Sequence, residues 1–91
     1  MTQSDKKMVE KNLDLIFEFE KYVLQHPRVA SEIPQDAAVF MRLEGDEKFN
    51  RWSQRLAAKY PEKDRAIFWV TIKKMRPVHS RIEELSLERA A

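Results

Sequence analysis

The sequence predicts a small α/β domain, a helix followed by a strand–helix–strand unit and then a short C-terminal helix or strand. Three observations carry that prediction. An amphipathic segment opens the chain at residues 4–25. Two apolar runs, 37–44 and 66–72, flank a second amphipathic segment at 46–60. The connections between these segments are short, as in βαβ units. The chain has 91 residues, which predicts a single domain spanning 1–91.

Ser4 or Asp5 is placed to cap the first helix, since a short side-chain oxygen accepts from the unpaired N–H groups of the first turn. His26-Pro27 ends it, because the residue before proline is driven out of the α region. On a helical wheel Val9, Leu13, Ile16, Val23 and Leu24 share one face. Phe17 flanks it on one side, and Met8, Leu15, Phe19 and Tyr22 on the other. The arc is wider than one sheet face requires, so this helix is expected to touch both its own sheet and a second body such as a partner subunit. Glu20 lies inside the arc. It reads either as a buried carboxylate for acid–base work or as an edge carboxylate paired with an arginine such as Arg42 or Arg76.

Residues 28–36 read as a connection, with Val29 and Ile33 closing the bottom of the core. The first strand, 37–44, is apolar on both faces at its start, with Val39, Met41 and Leu43 on one side and Ala38, Phe40 and Arg42 on the other. This predicts a covered, interior strand. Glu44-Gly45-Asp46 turns the chain, and Asp46 is the natural N-cap of the second helix. In that helix Phe49, Trp52, Ser53, Leu56, Ala57 and Tyr60 follow the spacing of one buried stripe, and Pro61 stops it. After a polar turn at 62–65, the run 66–72 is rich in β-branched and aromatic residues and reads as the second strand. Strand, helix, strand predicts a parallel, right-handed crossover. The tail is open between two readings. Ser80-Arg81-Ile82-Glu83 has capping-box form and favours a helix to Arg89, whereas Leu85 and Leu87 alternate as in a strand.

Two strands do not make a stable sheet alone, so either the tail adds a third or two chains pair their sheets. A symmetric homodimer is the expected solution.

Charge and composition narrow the function. Seventeen basic and fifteen acidic residues give a net charge of +2, which lacks the overall basic excess of a nucleic-acid binder. One glycine cannot build a phosphate loop or a dinucleotide fingerprint. No cysteine is present, so disulfides and thiolate metal sites are excluded, in keeping with a cytoplasmic protein. No apolar run approaches the roughly 20 residues of a membrane helix, so no membrane association is expected. His26 and His79 are the only histidines and read as surface or capping residues. No metal-binding or nucleophile motif occurs, and Ser80 beside His79 is mere adjacency. The expectation is a non-enzyme with no catalytic residues, no metal and no cofactor.

Two groups of cations are the candidate binding residues. Lys48, Arg51, Arg55 and Lys59 line one face of the second helix, either as a stripe for a phosphate backbone or acidic partner helix or as an ordinary solvated face. Lys73, Lys74, Arg76 and Arg81 follow the second strand. They lie where ligands of open α/β sheets bind, beside a helix N-terminus that favours anions, although a basic strand exit is also ordinary edge protection.

Asn12-Leu13 through Phe19, Tyr22-Val23-Leu24, His26-Pro27, Ile33-Pro34 with Ala37-Ala38-Val39, Asp46, Asn50, and Pro77 with Ser80-Arg81-Ile82 together resemble a family of small prokaryotic proteins known only as a domain of unknown function. The resemblance spans Asn12 to Ile82 and implies no chemistry. By loose analogy with small stand-alone proteins, it suggests an antitoxin-like or regulatory module that binds a protein partner. Nucleic-acid or phosphate-ligand binding through the two basic groups is the alternative.

Overall fold

The computed structural model describes residues 2–60 and 65–90. Its elements run α1 (Gln3–Gln25), α2 (Pro27–Ser31), β1 (Ala38–Leu43), α3 (Glu47–Ala58) and β2 (Ile67–Ile72). β1 and β2 form a two-stranded parallel sheet in which Ala38 stands opposite Ile67 and Leu43 opposite Ile72. The mixed α/β class and the parallel pairing are as the sequence predicts.

Thr2, and not Ser4 or Asp5, caps α1; its hydroxyl accepts from the Asp5 N–H at 3.1 Å. The helix ends at Gln25, as His26-Pro27 requires. The connection that follows is not wholly irregular. Pro27 occupies the first turn of α2, where its missing N–H costs nothing, so the residue that stops one helix starts the next. Asp46 caps α3 as expected, accepting from the Phe49 N–H at 3.1 Å. Gly45 supplies the left-handed backbone, φ +90°, that turns β1 into α3. The helix stop at Pro61 and the first three residues of the polar turn lie outside the described residues.

The core is small. Leu15 of α1, Met41 of β1 and Phe49 of α3 are its fully covered centre. Met8, Ile16, Phe19, Leu43, Trp52, Val70 and Ile72 pack around it, half-buried. The α3 stripe is buried at Phe49, Ser53 and Ala57, whereas Leu56 reaches solvent. The other sheet face carries an aromatic group. Phe40 meets Tyr60 edge-on at 5.7 Å and Trp69 at 5.8 Å, and the Arg42 guanidinium lies 3.8 Å from the Trp69 ring centre.

α3 also caps one end of the outer edge of β1. In a parallel pair, alternate residues direct both backbone groups to the neighbouring strand. The Ala38 N–H donates to the Ala66 carbonyl and the Glu44 N–H to the Ile72 carbonyl, so the even residues of β1 face β2 and the odd ones face away. Asn50 meets that outer edge. Its carboxamide accepts from the Leu43 N–H and donates to the Leu43 carbonyl, both at 2.8 Å, while the Ser53 hydroxyl donates to the Met41 carbonyl at 2.7 Å. The covered, interior strand predicted at 37–44 is instead an edge strand: Ala38 and Met41 are buried, but Val39 is exposed and the sheet has only two strands.

Residues 73–90 form neither the predicted helix nor a strand. The Ser80 hydroxyl accepts from the Ile82 N–H, two residues on, in a local turn that replaces the capping box. The segment is an exposed arm. The radius of gyration is 17.8 Å, against about 12 Å for a compact chain of this length. No described helix is long and apolar enough to cross a membrane.

Candidate functional site

The first candidate group forms a row on α3. Lys48, Arg51, Arg55 and Lys59 are all exposed on one side of the helix, along about 16 Å. Among the described residues none of the four is in an ion pair; the two salt bridges are Lys11–Asp46 and Lys21–Glu18.

The second group follows β2. Lys73, Lys74 and Arg76 border a cleft of about 850 Å³ whose apolar floor includes Phe19, Tyr22, Val29, Val70 and Ile72. Arg81 lies farther along the arm, exposed, and does not border the cleft. The two groups thus occupy separate elements. Only the start of the α3 row, at Lys48, lies near the end of the sheet where both strands exit and the Glu44 N–H meets the Ile72 carbonyl at 2.9 Å.

That end also holds the α3 N-terminus, and a carboxylate already occupies it. Asp46 caps the helix with one oxygen and accepts from the Lys11 ammonium with the other. The Lys11 hydrogen bond, reinforced by the Phe49 N–H, lowers the Asp46 pKa below its ordinary value; partial burial opposes this, and the charges of Lys11 and Lys48 add to the lowering. With Glu47 in the first turn, the positive helix end is neutralised from within the chain.

Glu20 is exposed and pairs with neither predicted arginine in the described ion pairs. It borders a shallow groove of about 570 Å³ with Phe19, Val23, Leu24, Ile33 and Pro34. Its neighbours on α1 matter more. Leu13, Phe17, Glu20 and Leu24 recur at intervals of four, three and four residues and fall within about 60° on a helical wheel. The three apolar members are exposed, Leu24 by 82%. Leu15 is the only one of the 23 residues of α1 that is fully buried.

Among the described residues no cluster of His, Asp or Glu has the makings of a metal site. His26 closes α1, its Nδ1 3.0 Å from the Tyr22 carbonyl and its ring stacked on Tyr22. His79 is exposed in the arm.

Sequence reasoning missed Asn50, Lys11 and Arg65. Asn50 and Ser53 were legible in principle, being two small polar residues one turn apart on the sheet-facing side of a helix that follows a strand. Arg65 gave no signal within its own segment. Its guanidinium donates to the Asp36 carbonyl at 2.8 Å, the Ala37 carbonyl at 3.2 Å and the Tyr60 hydroxyl at 3.0 Å, partners separated from it by up to 29 positions.

Compared with known proteins, residues 7–85 match the family described as a family of unknown function, DUF5647. No curated protein and no solved structure matches the chain.

Proposed function

The chain belongs to the DUF5647 family of unknown function, and from that premise we propose that it is a small dimeric interaction module that holds another protein, as an antitoxin or other regulatory subunit does. The observation that carries the reading is the uncovered stripe of α1. Leu13, Phe17, Glu20 and Leu24 have the four-three-four spacing of a coiled-coil seam, on a helix of 23 residues that buries only Leu15. A seam of this kind takes an amphipathic helix. The single carboxylate at Glu20 fixes the register by favouring a partner that presents Lys or Arg opposite it.

The test compares wild type with Phe17→Glu/Leu24→Glu in affinity capture from the native host, with bound protein and nucleic acid both quantified. A protein retained near one-to-one by wild type and lost from the variant supports the reading. Identical protein capture by both sinks it.

The row Lys48, Arg51, Arg55 and Lys59, which makes no ion pair among the described residues, favours a second reading, contact with a nucleic-acid backbone or a phosphate-bearing ligand. Binding of generic RNA or DNA would then weaken by orders of magnitude as salt rises from about 50 to 200 mM, and reversing two of the four charges would flatten that slope. No binding at low salt removes the reading.

A further inference from the structure

β2 has an edge that nothing among the described residues pairs with. The same ladder that turns Val39, Met41 and Leu43 towards α3 turns the backbone groups of Ile67, Trp69 and Thr71 outward on the opposite side. Asn50 and Ser53 cap the β1 edge at Leu43 and at the Met41 carbonyl, but β2 pairs with β1 alone and has no such side-chain cap among the described residues. Within Ile67–Ile72 there is no proline, charge or bulge of the kind that protects an edge strand.

The same chain also carries an arm without a seat. Val78 is fully exposed and Leu87 is 86% exposed, with Ile82 and Leu85 also in solvent. The arm leaves β2 directly. To reach its own β2 edge it would have to reverse, and residues 73–90 contain no Gly, Asn or Asp, the residues that tight hairpin turns select for positive φ. Pro77 stiffens the exit further.

We propose that the arm of a second copy of this chain adds as a strand to the open edge of β2, reciprocally, so that two copies exchange arms across a twofold axis. Leu85 and Leu87, two positions apart, project to one side of the added strand. They enter the apolar cleft beside β2, floored by Phe19, Val70 and Ile72. Glu83, Glu84 and Glu88 of the incoming arm meet Lys73, Lys74 and Arg76 at the rim, a match of opposite charges between the two halves of the same segment. The basic exit of β2 is then the receptor for the acidic half of the partner's arm. The proposal rests on the dimer reading above and specifies its geometry.

The absence of cysteine makes the test direct. Thr71→Cys in a tagged chain is mixed under oxidising conditions with Ser86→Cys in an untagged one. Sedimentation equilibrium is run in parallel on wild type and on Leu85→Glu/Leu87→Glu, with circular dichroism as the folding control. The expected results are a mixed-chain disulfide, a wild-type dimer of about twice 10.9 kDa, and a folded monomer for the double variant with at least a tenfold weaker dimerisation constant. A wild-type dimer that persists unchanged in the double variant, with no mixed disulfide, overturns the arm exchange and leaves the dimer standing. A wild-type monomer at high concentration overturns both. Disulfide formation within a single chain carrying Thr71→Cys and Ser86→Cys, in place of the mixed product, shows the arm folding back and likewise overturns the exchange.

Discussion

The side chain of Asn50 and the backbone of Leu43 form a closed ring of two hydrogen bonds, each 2.8 Å. The carboxamide presents a donor and an acceptor with the spacing of a peptide group, and so stands in for the strand that β1 lacks on that side. This makes α3 part of the sheet's edge as well as its cover at Met41 and Leu43, whereas no side chain among the described residues caps the edge of β2 in this way.

Asn50→Ala is therefore expected to cost about 1–3 kcal/mol, because it strands the part-buried Leu43 N–H, while the Leu43 carbonyl keeps the Asp46 N–H at 3.0 Å. Asn50→Asp is nearly isosteric but offers no donor, so the Leu43 carbonyl keeps only the Asp46 N–H and faces a negative charge. It should destabilise the fold as well. Urea unfolding measures both; a loss below about 0.5 kcal/mol for either variant contradicts the edge role.

Asp46 makes stability depend on acid. Its folded-state pKa is held below the ordinary 3.8 by the Lys11 hydrogen bond first and the Phe49 N–H second. The contribution is therefore complete above the unfolded value and is lost as pH falls through the folded one. Asp46→Asn keeps an N-cap oxygen for the Phe49 N–H but loses the charge and, with it, the second acceptor that holds the Lys11 ammonium. Near neutral pH it should cost no more than about 1 kcal/mol, since both partners are partly in solvent. The difference from wild type should close as pH drops below about 4. A gap that instead widens towards low pH rules out this origin.

Arg65→Lys is not conservative here. One planar guanidinium reaches two carbonyls and the Tyr60 hydroxyl at once, and an ammonium cannot span all three. A loss of about 1 kcal/mol is expected, together with faster amide exchange at the start of β1, where the Asp36 and Ala37 carbonyls are released. Unchanged exchange there argues against the tie.

Phe49→Ala tests the core. Phe49 has no exposed surface and meets Trp52 at 5.8 Å. The substitution should cost about 3–5 kcal/mol. In a chain of 91 residues that is a large part of the whole, given roughly 0.1 kcal/mol per residue. Loss of the cooperative thermal transition is the expected observation, and retention of a wild-type midpoint would place the core elsewhere.

The sequence by itself determined the elements whose causes are local. The 3.6-residue stripe of α3, the aspartate before it, the proline after α1 and the β-branched run of β2 all act within a few residues, and each element lies where its pattern puts it. The four cations of α3 were legible for the same reason, because a helix face follows from spacing alone. Only the tertiary structure decided what depends on partners far along the chain. Asn50 reads as a poor helix former until the β1 edge stands beside it, and Arg65 reads as a turn residue until the Asp36 and Ala37 carbonyls are in reach. The tail shows the limit most clearly. Its capping-box pattern favours a helix, but a short isolated helix has few hydrogen bonds to offset a costly nucleus, and here the segment packs on no other element. Residues 73–90 lie as an irregular arm. The arm's failure to pack leaves the seam on α1 and the edge of β2 uncovered, which is where a second chain would supply the contacts that this one does not.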